Sequence, residues 1–200
     1  MREGRAIAYR VGNTEDLELA RRARRDDAAA GIVARRLLPR IRHTVRLLVD
    51  GHPDAGDLVQ QCMLAIIEGL GGYSGSGSLE GWAGGICYRV VMRQMKRRRR
   101  SDRMLVPMPE SVEAQAADPA SESVRARVGE TLERHLARLP ESRRAAVVLH
   151  AVYGYKVSEV AGITEAAVDT VRDRLRTGLR DLRASLARDP VARDLLKGGR

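Results

Sequence analysis

Apolar residues in the first half of the chain recur at intervals of three and four, which is the spacing of amphipathic α-helices. The first stripe consists of Val33, Leu37, Ile41, Val45 and Leu48. Pro39 lies inside this run and is expected to kink its helix. A second stripe consists of Leu58, Cys62 and Ile66, and a third consists of Trp82, Ile86 and Val90. The first half is therefore expected to be helical.

The second half repeats this pattern after an interruption. Residues 101–123 lose the periodicity and are rich in Pro, Ser, Ala and Glu, which is typical of a linker. Beyond them, the last helical stripe consists of Val168, Val171, Leu175, Leu179, Leu182 and Leu186. The pattern predicts an all-α protein with two helical domains, residues 1–100 and 124–200, joined by a flexible linker at 101–123. The eight glycines from Gly69 to Gly85 predict a flexible loop within the first domain.

A basic face accompanies the apolar stripe of the third helix. Its members are Arg89, Arg93, Lys96, Arg97 and Arg100, which recur at helical spacing. A helix with one apolar face and one basic face is typical of an element that binds nucleic acid. The formal net charge of +10 likewise favours an anionic partner, and nucleic acid ahead of a membrane surface.

The segment from Asp54 to Arg100 resembles region 2 of bacterial RNA polymerase sigma factors, and within them the extracytoplasmic-function (ECF) group. The resemblance rests on the motif DAxDLVQ at residues 54–60, on Trp82 and on the basic run from Lys96 to Arg100. It implies that core RNA polymerase, through its β′ and β subunits, contacts Asp54, Asp57, Leu58, Gln60 and Gln61. It also implies that promoter DNA at the minus-ten element contacts Tyr73, Trp82, Arg89, Arg93, Lys96, Arg97, Arg98 and Arg100.

The segment from residue 139 to 183 resembles region 4 of the same family, a helix-turn-helix that reads the minus-thirty-five element. Aligned without gaps, Glu165 takes the place of the usual turn glycine. A rival register makes Gly162 and Ile163 the turn and Thr164 the N-cap of a longer last helix, and its capping chemistry favours it. The resemblance assigns DNA contacts here to Thr164, Thr170, Arg172, Arg174, Arg176 and Arg180.

The chain departs from the pattern of the family at several positions. Asp169 and Asp173 lie on the presumed DNA-facing side of the last long helix. A carboxylate repels phosphate, although it can accept a hydrogen bond from cytosine N4. Arg89 and Arg93 occupy positions where the family often has Asn and Asp.

Several classes of function find no support in the sequence. No triad order, metal-binding motif or dinucleotide-binding motif is recognisable, so we expect neither an enzyme nor a metal or other cofactor. Cys62 and Cys87 have no metal or redox spacing and are expected to be buried, reduced thiols. No apolar run approaches about 18 residues, and no secretory leader is recognisable. We therefore expect a cytoplasmic protein without membrane insertion.

The resemblance implies a transcription initiation factor that binds core RNA polymerase, directs it to specific promoters and aids strand opening. It also implies an anti-sigma protein as a further partner. Two alternatives remain. One is a sigma-like protein that binds polymerase or an antagonist without opening promoters. The other is a stand-alone helix-turn-helix regulator, in which the DLVQ segment would have no purpose.

Overall fold

The computed structural model of the protein describes residues 14–49, 54–102 and 124–197. Every secondary-structure element in these ranges is helical, which confirms the all-α prediction. The predicted linker lies outside the described residues, except for Ser101 and Asp102, which end a helix.

Four helices form the N-terminal half of the structure. They are α1 (Thr14–Ala23), α2 (Asp27–Val49), α3 (Ala55–Gly69) and α4 (Leu79–Asp102), with a 3-10 turn at Leu70–Gly72. The predicted stripe of α2 is buried along its whole length, and α2 continues as one helix through Pro39. This apolar stripe packs against α1, α3 and α4 and so forms the centre of the N-terminal core.

The buried stripe of α4 lies one residue beyond the predicted one. Its fully buried members are Leu79, Ala83, Cys87 and Val91, whereas Trp82, Ile86 and Val90 lie half-buried beside them. Cys62 and Cys87 are buried, free thiols, as predicted. The Cys62 thiol donates a hydrogen bond to the Cys87 carbonyl oxygen over 3.8 Å. Hydrogen bonding to Cys62 and burial together hold the pKa of the Cys87 thiol well above its usual range.

The predicted glycine-rich loop is shorter than expected, because α4 already begins at Leu79. The Ser78 hydroxyl caps this helix by accepting a hydrogen bond from the backbone N–H of Gly81 at 3.0 Å. Buried Asp16 accepts a second hydrogen bond from the N–H of Leu79 at 3.1 Å. The prediction of a loop up to Gly85 was therefore wrong. Packing against the C-terminal half, described below, explains the glycines within α4.

Five helices form the C-terminal half. They are α5 (Val124–Ala137), α6 (Glu141–Val147), α7 (Val157–Thr164), α8 (Val168–Arg188) and α9 (Pro190–Lys197), and a π-helical segment extends α6 over Val148–Val152. The most extensive helix packing in this half joins α6 to α8. Gly178 of α8 allows the two helices to approach closely at Val147. The apolar residues Val171, Leu175 and Leu182 of α8 are buried.

His135 joins α5 to the junction between α8 and α9. Its ring is fully buried, with Nδ1 at 2.6 Å from the Ser185 hydroxyl and Nε2 at 2.8 Å from Asp189 Oδ2. The other carboxylate oxygen of Asp189 accepts a hydrogen bond from the N–H of Val191 at 2.8 Å and so caps α9. His135 therefore ties α5 to α8 and α9 through both of its ring nitrogens.

This junction predicts a dependence of stability on pH. The hydrogen bond from His135 lowers the pKa of the Asp189 carboxyl from its usual value of 3.8. A lowered pKa means that the carboxylate contributes to stability above its usual pKa and that the contribution is lost as the pH falls through the lowered pKa. We expect Asp189→Asn to lower the melting temperature at pH 7 and to have a smaller effect at pH 3, measured by circular dichroism. Asp194→Asn, at an exposed position of α9, is the control. Equal effects of Asp189→Asn at both pH values would contradict this assignment.

The two halves pack against each other through α2 and α4 on one side and α5, α6 and α7 on the other. Arg144 donates a hydrogen bond from Nη1 to the carbonyl oxygen of Leu48 at 3.1 Å. His43 Nδ1 lies 3.1 Å from Glu133 Oε1 across the same boundary. The described residues therefore form one closed arrangement.

Candidate functional site

The outer side of α3 presents a mixed acidic, polar and apolar patch, called here the α3 surface. It consists of Asp54, Asp57, Gln60, Leu64 and Glu68, all of which are exposed. The side chains from Asp57 to Glu68 share one side because they recur at intervals of three and four. Leu64 is the most exposed large apolar residue of the described chain, at 62%.

Two of the residues predicted to contact polymerase lie elsewhere. Leu58 is only 3% exposed and packs into the N-terminal core, because it belongs to the same stripe as Cys62. Gln61 is half-buried, and its side-chain oxygen accepts a hydrogen bond from Gln94 at 2.6 Å. Gln61 thus ties α3 to α4, and Leu58 supports the α3 surface from below.

The sequence pattern did not single out Leu64, although it carries a recognisable signal. Leu64 lies one turn beyond Gln60 on the polar side of α3, away from the buried stripe. An isolated leucine among charged residues at such a position is compatible with either an interface or an ordinary surface. Its exposure in the structure makes it part of the α3 surface.

The basic face of α4 is exposed as predicted, and it borders the α3 surface. Arg93, Lys96, Arg97 and Arg100 all lie on the outer side of the helix. Arg98 Nη1 forms an ion pair with Asp54 Oδ2 at 3.1 Å, which joins the two surfaces. Both side chains of this pair are largely exposed, so the pair stabilises the fold only weakly.

The loop before α4 carries one of the aromatic residues that the resemblance assigns to DNA contact. Tyr73 is only 4% exposed, and its hydroxyl donates a hydrogen bond to the carbonyl oxygen of Gly77 at 2.7 Å. The ring centroids of Tyr73 and Trp82 lie 5.6 Å apart. Tyr73 therefore supports the loop and Trp82, while its own ring faces the core in this conformation.

Trp82 and Arg89 line a cleft of about 580 Å³ between the two halves of the structure. The C-terminal half contributes the opposite wall, formed by Tyr153, Gly154, Tyr155, Lys156, Glu159, Gly162 and Ile163. The Tyr155 hydroxyl donates a hydrogen bond to the carbonyl oxygen of Gly81. Burial is the main cause that raises the pKa of Tyr155 to about 12, so the phenol keeps its proton at neutral pH.

The turn between α7 and α8 corrects the preferred register of the sequence analysis. Thr164 is the last residue of α7, and its hydroxyl donates a hydrogen bond to the carbonyl oxygen of Val160 at 2.8 Å. Glu165 adopts the left-handed conformation at φ 52°, and its N–H bonds to the carbonyl oxygen of Ala161. Glu165 thus occupies the turn position, as in the gapless alignment. The prediction that Thr164 caps the last helix was wrong.

This register predicts the effects of two substitutions on stability. Gly162→Ala is expected to raise the free energy of unfolding by about 0.5–1 kcal/mol, because Gly162 lies within α7 and a Cβ there meets nothing within 4 Å. Glu165→Gly is expected to raise it by about 1 kcal/mol, because glycine relieves the left-handed conformation. Urea unfolding of both variants checks this. In the rival register Gly162→Ala would destabilise the protein instead.

The exposed side of α8 mixes positive and negative charge. Thr170, Arg172, Arg176 and Arg180 are exposed, and Arg174 is half-buried. Arg172 pairs with Asp169 at 2.5 Å, and Arg176 pairs with Asp173 at 2.6 Å. Hydrogen bonding to Arg176 lowers the pKa of Asp173, which therefore stays ionised at neutral pH. Two of the predicted DNA-contacting arginines thus already have acidic neighbours one turn earlier in the helix.

Family comparisons match these surfaces to two known regions. The family described as sigma-70 region 2 matches residues 33–102, which contain the α3 surface and the basic face of α4. The family described as sigma-70, region 4 matches residues 129–182, which contain α7 and most of α8. Together the two matches cover more than half of the chain. The chain belongs to the sigma-70 family. Region 2 and region 4 denote these two segments below.

Similar sequences place the chain near the ECF group, which confirms the resemblance noted in the sequence. It is 31% identical over 138 residues to the ECF RNA polymerase sigma factor SigE of Mycolicibacterium smegmatis, covering 68% of this chain and 52% of SigE. It is 28% identical over 190 residues to the ECF RNA polymerase sigma factor SigG of Mycobacterium tuberculosis, covering 77% of this chain and 50% of SigG. The chain thus spans about half the length of the curated relatives it matches.

Solved structures support the fold. The sigma factor RpoE, in its complex with the anti-sigma factor NepR from Bartonella quintana, superposes with a TM-score of 0.61 at 23% identity, covering 78% of this chain and 95% of RpoE. CnrH, in complex with the cytosolic domain of CnrY, gives a TM-score of 0.57 at 21% identity, covering 87% of this chain and 98% of CnrH. Among the described residues, no helix is both long and apolar enough to cross a membrane.

Proposed function

We propose that this protein is a transcription initiation factor that binds core RNA polymerase and directs it to specific promoters. The observation that carries the proposal is the pair of adjoining exposed surfaces in region 2. One is the acidic and apolar α3 surface, and the other is the basic face of α4. A factor that links polymerase to DNA needs two such chemically different surfaces on one folded unit.

The α3 surface has the composition of a protein-binding patch. Leu64 is a large apolar side chain that is 62% exposed, with Gln60 and Glu68 one turn away on either side of it and Asp57 one turn beyond Gln60. An apolar centre within a polar rim is typical of transient protein interfaces. We assign this patch to the core polymerase, with the β′ and β subunits as the contacting partners. Asp54 lies at its edge, where the ion pair with Arg98 joins it to the basic face.

The basic face of α4 suits the phosphate backbone of promoter DNA. Its exposed cations, Arg93, Lys96, Arg97 and Arg100, lie along the outer side of one helix, where each can displace a counterion from the nucleic acid. Trp82 and Arg89 extend this surface towards the cleft, where an unpaired base could stack on the indole ring. We assign this surface to the minus-ten element and to strand opening.

The helix-turn-helix of region 4 is assigned to the minus-thirty-five element. In a helix-turn-helix the second helix enters the major groove with its N-terminal residues towards the bases, and α8 has that place here. Thr170, Arg172 and Arg176 are the exposed candidates near its start. Asp169 and Asp173 reduce the net positive charge of this end, so we expect region 4 to add sequence preference more than affinity.

The remaining assignments follow from this role. Residues 1–100 and 124–200 are taken as the two functional domains, joined by the linker at 101–123. The protein supplies positioning and strand opening in the cytoplasm, while the polymerase performs the chemistry. RpoE is bound by the anti-sigma factor NepR in the similar structure, and we propose that an anti-sigma protein regulates this chain as well.

Binding to core polymerase separates this proposal from its alternatives. The labelled protein is titrated with purified core RNA polymerase, and the anisotropy of the label is measured. The proposal predicts saturable binding of the full chain, and competition between it and another sigma factor for the same core. Absence of binding would leave a stand-alone helix-turn-helix regulator. Binding without transcription would indicate a sigma-like interaction protein, which the charge pairs on α8 favour as the second candidate.

A further inference from the structure

The outer side of α8, opposite its buried stripe, carries two carboxylates. Asp169 and Asp173 are one helical turn apart on this side, and their side chains are 90% and 63% exposed. Val171 and Leu175, each two residues further along the chain, are buried and belong to the core. Since residues two apart lie on nearly opposite sides of a helix, both carboxylates point away from the protein.

The register of the helix-turn-helix places these carboxylates at the start of its second helix. Glu165 forms the turn and α8 begins at Val168, so Asp169 is the second residue of α8 and Asp173 is the sixth. In a helix-turn-helix the second helix lies in the major groove, and its N-terminal residues contact the base edges. The helix-turn-helix thus defines the binding site, and the two carboxylates lie within it.

Two acids in this place need an explanation, because a carboxylate that faces DNA is repelled by the phosphates. The dipole of the helix favours an acid only in the first turn, which contains Asp169 but not Asp173. Exposed ion pairs between neighbouring turns stabilise a helix only weakly. Neither effect accounts for both acids on the DNA-facing side.

Arginines hold both carboxylates in a defined orientation. Arg172 donates a hydrogen bond from Nη1 to Asp169 Oδ1 at 2.5 Å, and Arg176 donates one from Nη2 to Asp173 Oδ1 at 2.6 Å. Each bond engages Oδ1, so Oδ2 of the same carboxylate can accept a hydrogen bond from DNA. The positive charge of each guanidinium also offsets the repulsion between its carboxylate and the phosphates.

Only one base presents a matching edge in the major groove. An ionised carboxylate accepts hydrogen bonds and donates none. Cytosine offers the N4 amino group as a donor, whereas guanine offers two acceptors and thymine offers an acceptor and a methyl group. Adenine offers an amino group beside the acceptor N7, which repels a carboxylate. The chemistry of the outer side of α8 therefore favours cytosine.

We propose that Asp169 and Asp173 are specificity-determining residues that each accept a hydrogen bond from the N4 amino group of a cytosine in the minus-thirty-five element. This assignment rests on the function proposed above, because it requires region 4 to bind that element. In zinc-finger helices, side chains about one turn apart contact successive bases, principally on one strand. The element of this protein accordingly carries cytosines at two neighbouring positions.

Selection from a pool of randomised duplex DNA tests the two residues. The full chain is used alone and in complex with core RNA polymerase, and the retained duplexes are sequenced. Asparagine pairs with N6 and N7 of adenine, so Asp169→Asn should change the preferred base at one of the two positions from cytosine to adenine. Asp173→Asn should do so at the other position. Asp194→Asn makes the same change in charge at an exposed position of α9 and should keep the wild-type preference.

Affinities for the selected duplex separate base reading from a merely structural role. The wild type should bind this duplex about tenfold more tightly than a duplex with thymine in place of the cytosine that faces Asp169. Asp169→Asn should lose this ratio and should bind duplex DNA of unrelated sequence more tightly than the wild type, because the repulsion is removed. A structural defect would instead weaken binding to every duplex. Asp194→Asn should keep the ratio.

The outcomes distinguish this inference from the proposed function. Neighbouring cytosines that change to adenine in the two variants support both. An enriched sequence that Asp169→Asn or Asp173→Asn leaves unchanged overturns the assignment of that residue, while the proposed function stands. Absence of any enriched sequence for the wild type, alone and with polymerase, contradicts the binding of region 4 to the minus-thirty-five element and the reading of cytosine with it.

Discussion

Asp57→Arg is expected to weaken binding to core RNA polymerase by about tenfold or more, which corresponds to about 1.4 kcal/mol. Asp57 is exposed at the start of α3, on the same side of the helix as the exposed Leu64 side chain. Reversing its charge places a cation where the partner surface would be complementary to an acid. The fold should tolerate the change, because the Asp57 side chain lies outside the core. Anisotropy titration of the labelled variant with core polymerase measures the loss.

A matched control is available on α1. Glu18→Arg makes the same change in net charge at an exposed position on another helix, and it should leave the affinity unchanged. Circular dichroism should show the same helix content for both variants. Equal affinities of Asp57→Arg and Glu18→Arg for the polymerase would remove Asp57 from the docking surface.

Replacing the four exposed cations Arg93, Lys96, Arg97 and Arg100 with alanine is expected to flatten the salt dependence of DNA binding. Each cation that contacts a phosphate releases about 0.9 counterion from duplex DNA, so the slope of log affinity against log salt should fall by about 3 to 4. Alanine preserves the helix, which confines the change to electrostatics. The measurement is a titration of promoter DNA with the polymerase complex at several salt concentrations.

The control for this variant removes cations from another surface. Arg21 and Arg35 are exposed on α1 and α2, away from the basic face of α4. Their replacement with alanine should reduce the affinity slightly through net charge and should leave the slope nearly unchanged. A quadruple variant with the slope of the wild type would remove these residues from the DNA-binding surface.

The helices of region 2 could be predicted from the sequence because local pattern and burial agree there. Val33, Leu37, Ile41 and Val45 keep one spacing, and all four are fully buried. Where a single stripe decides which side of a helix faces the core, the apolar period carries enough information. The same holds for Leu58, Cys62 and Ile66 of α3. Leu58 also shows the limit of motif matching. The motif assigned Leu58 to the polymerase interface, whereas its place in the apolar stripe with Cys62 and Ile66 predicts a core residue, and the structure buries it.

The glycines in the first turns of α4 could not be assigned to a helix, because the contact that explains them lies about seventy positions away in the chain. Glycine-rich composition locally indicates a loop, and Gly81, Gly84 and Gly85 have no other signal of their own. Tyr153 and Tyr155 explain them, since only glycine permits the approach of these side chains. The pairing of a helix face with a distant aromatic turn is a tertiary contact, and a single sequence does not reveal it.

The prediction of the turn in the helix-turn-helix failed for a different reason. Capping preferences placed the turn at Gly162, because glycine adopts the left-handed conformation at the lowest cost. The structure instead uses Glu165, whose N–H bonds to the carbonyl oxygen of Ala161. This register keeps Val160 and Ala161 buried within α7 and lets Thr164 bond within the same helix. Packing of the helix thus outweighed the preference of one turn residue.

Run-off transcription tests the central claim most directly. Purified core RNA polymerase is incubated with fragmented genomic DNA of the source bacterium, with and without the full-length chain. The proposed function predicts discrete transcripts that appear only when the protein is added and whose start sites share a common upstream sequence. Core binding without any such transcript would contradict an initiation factor and leave an interaction protein of the sigma-70 family.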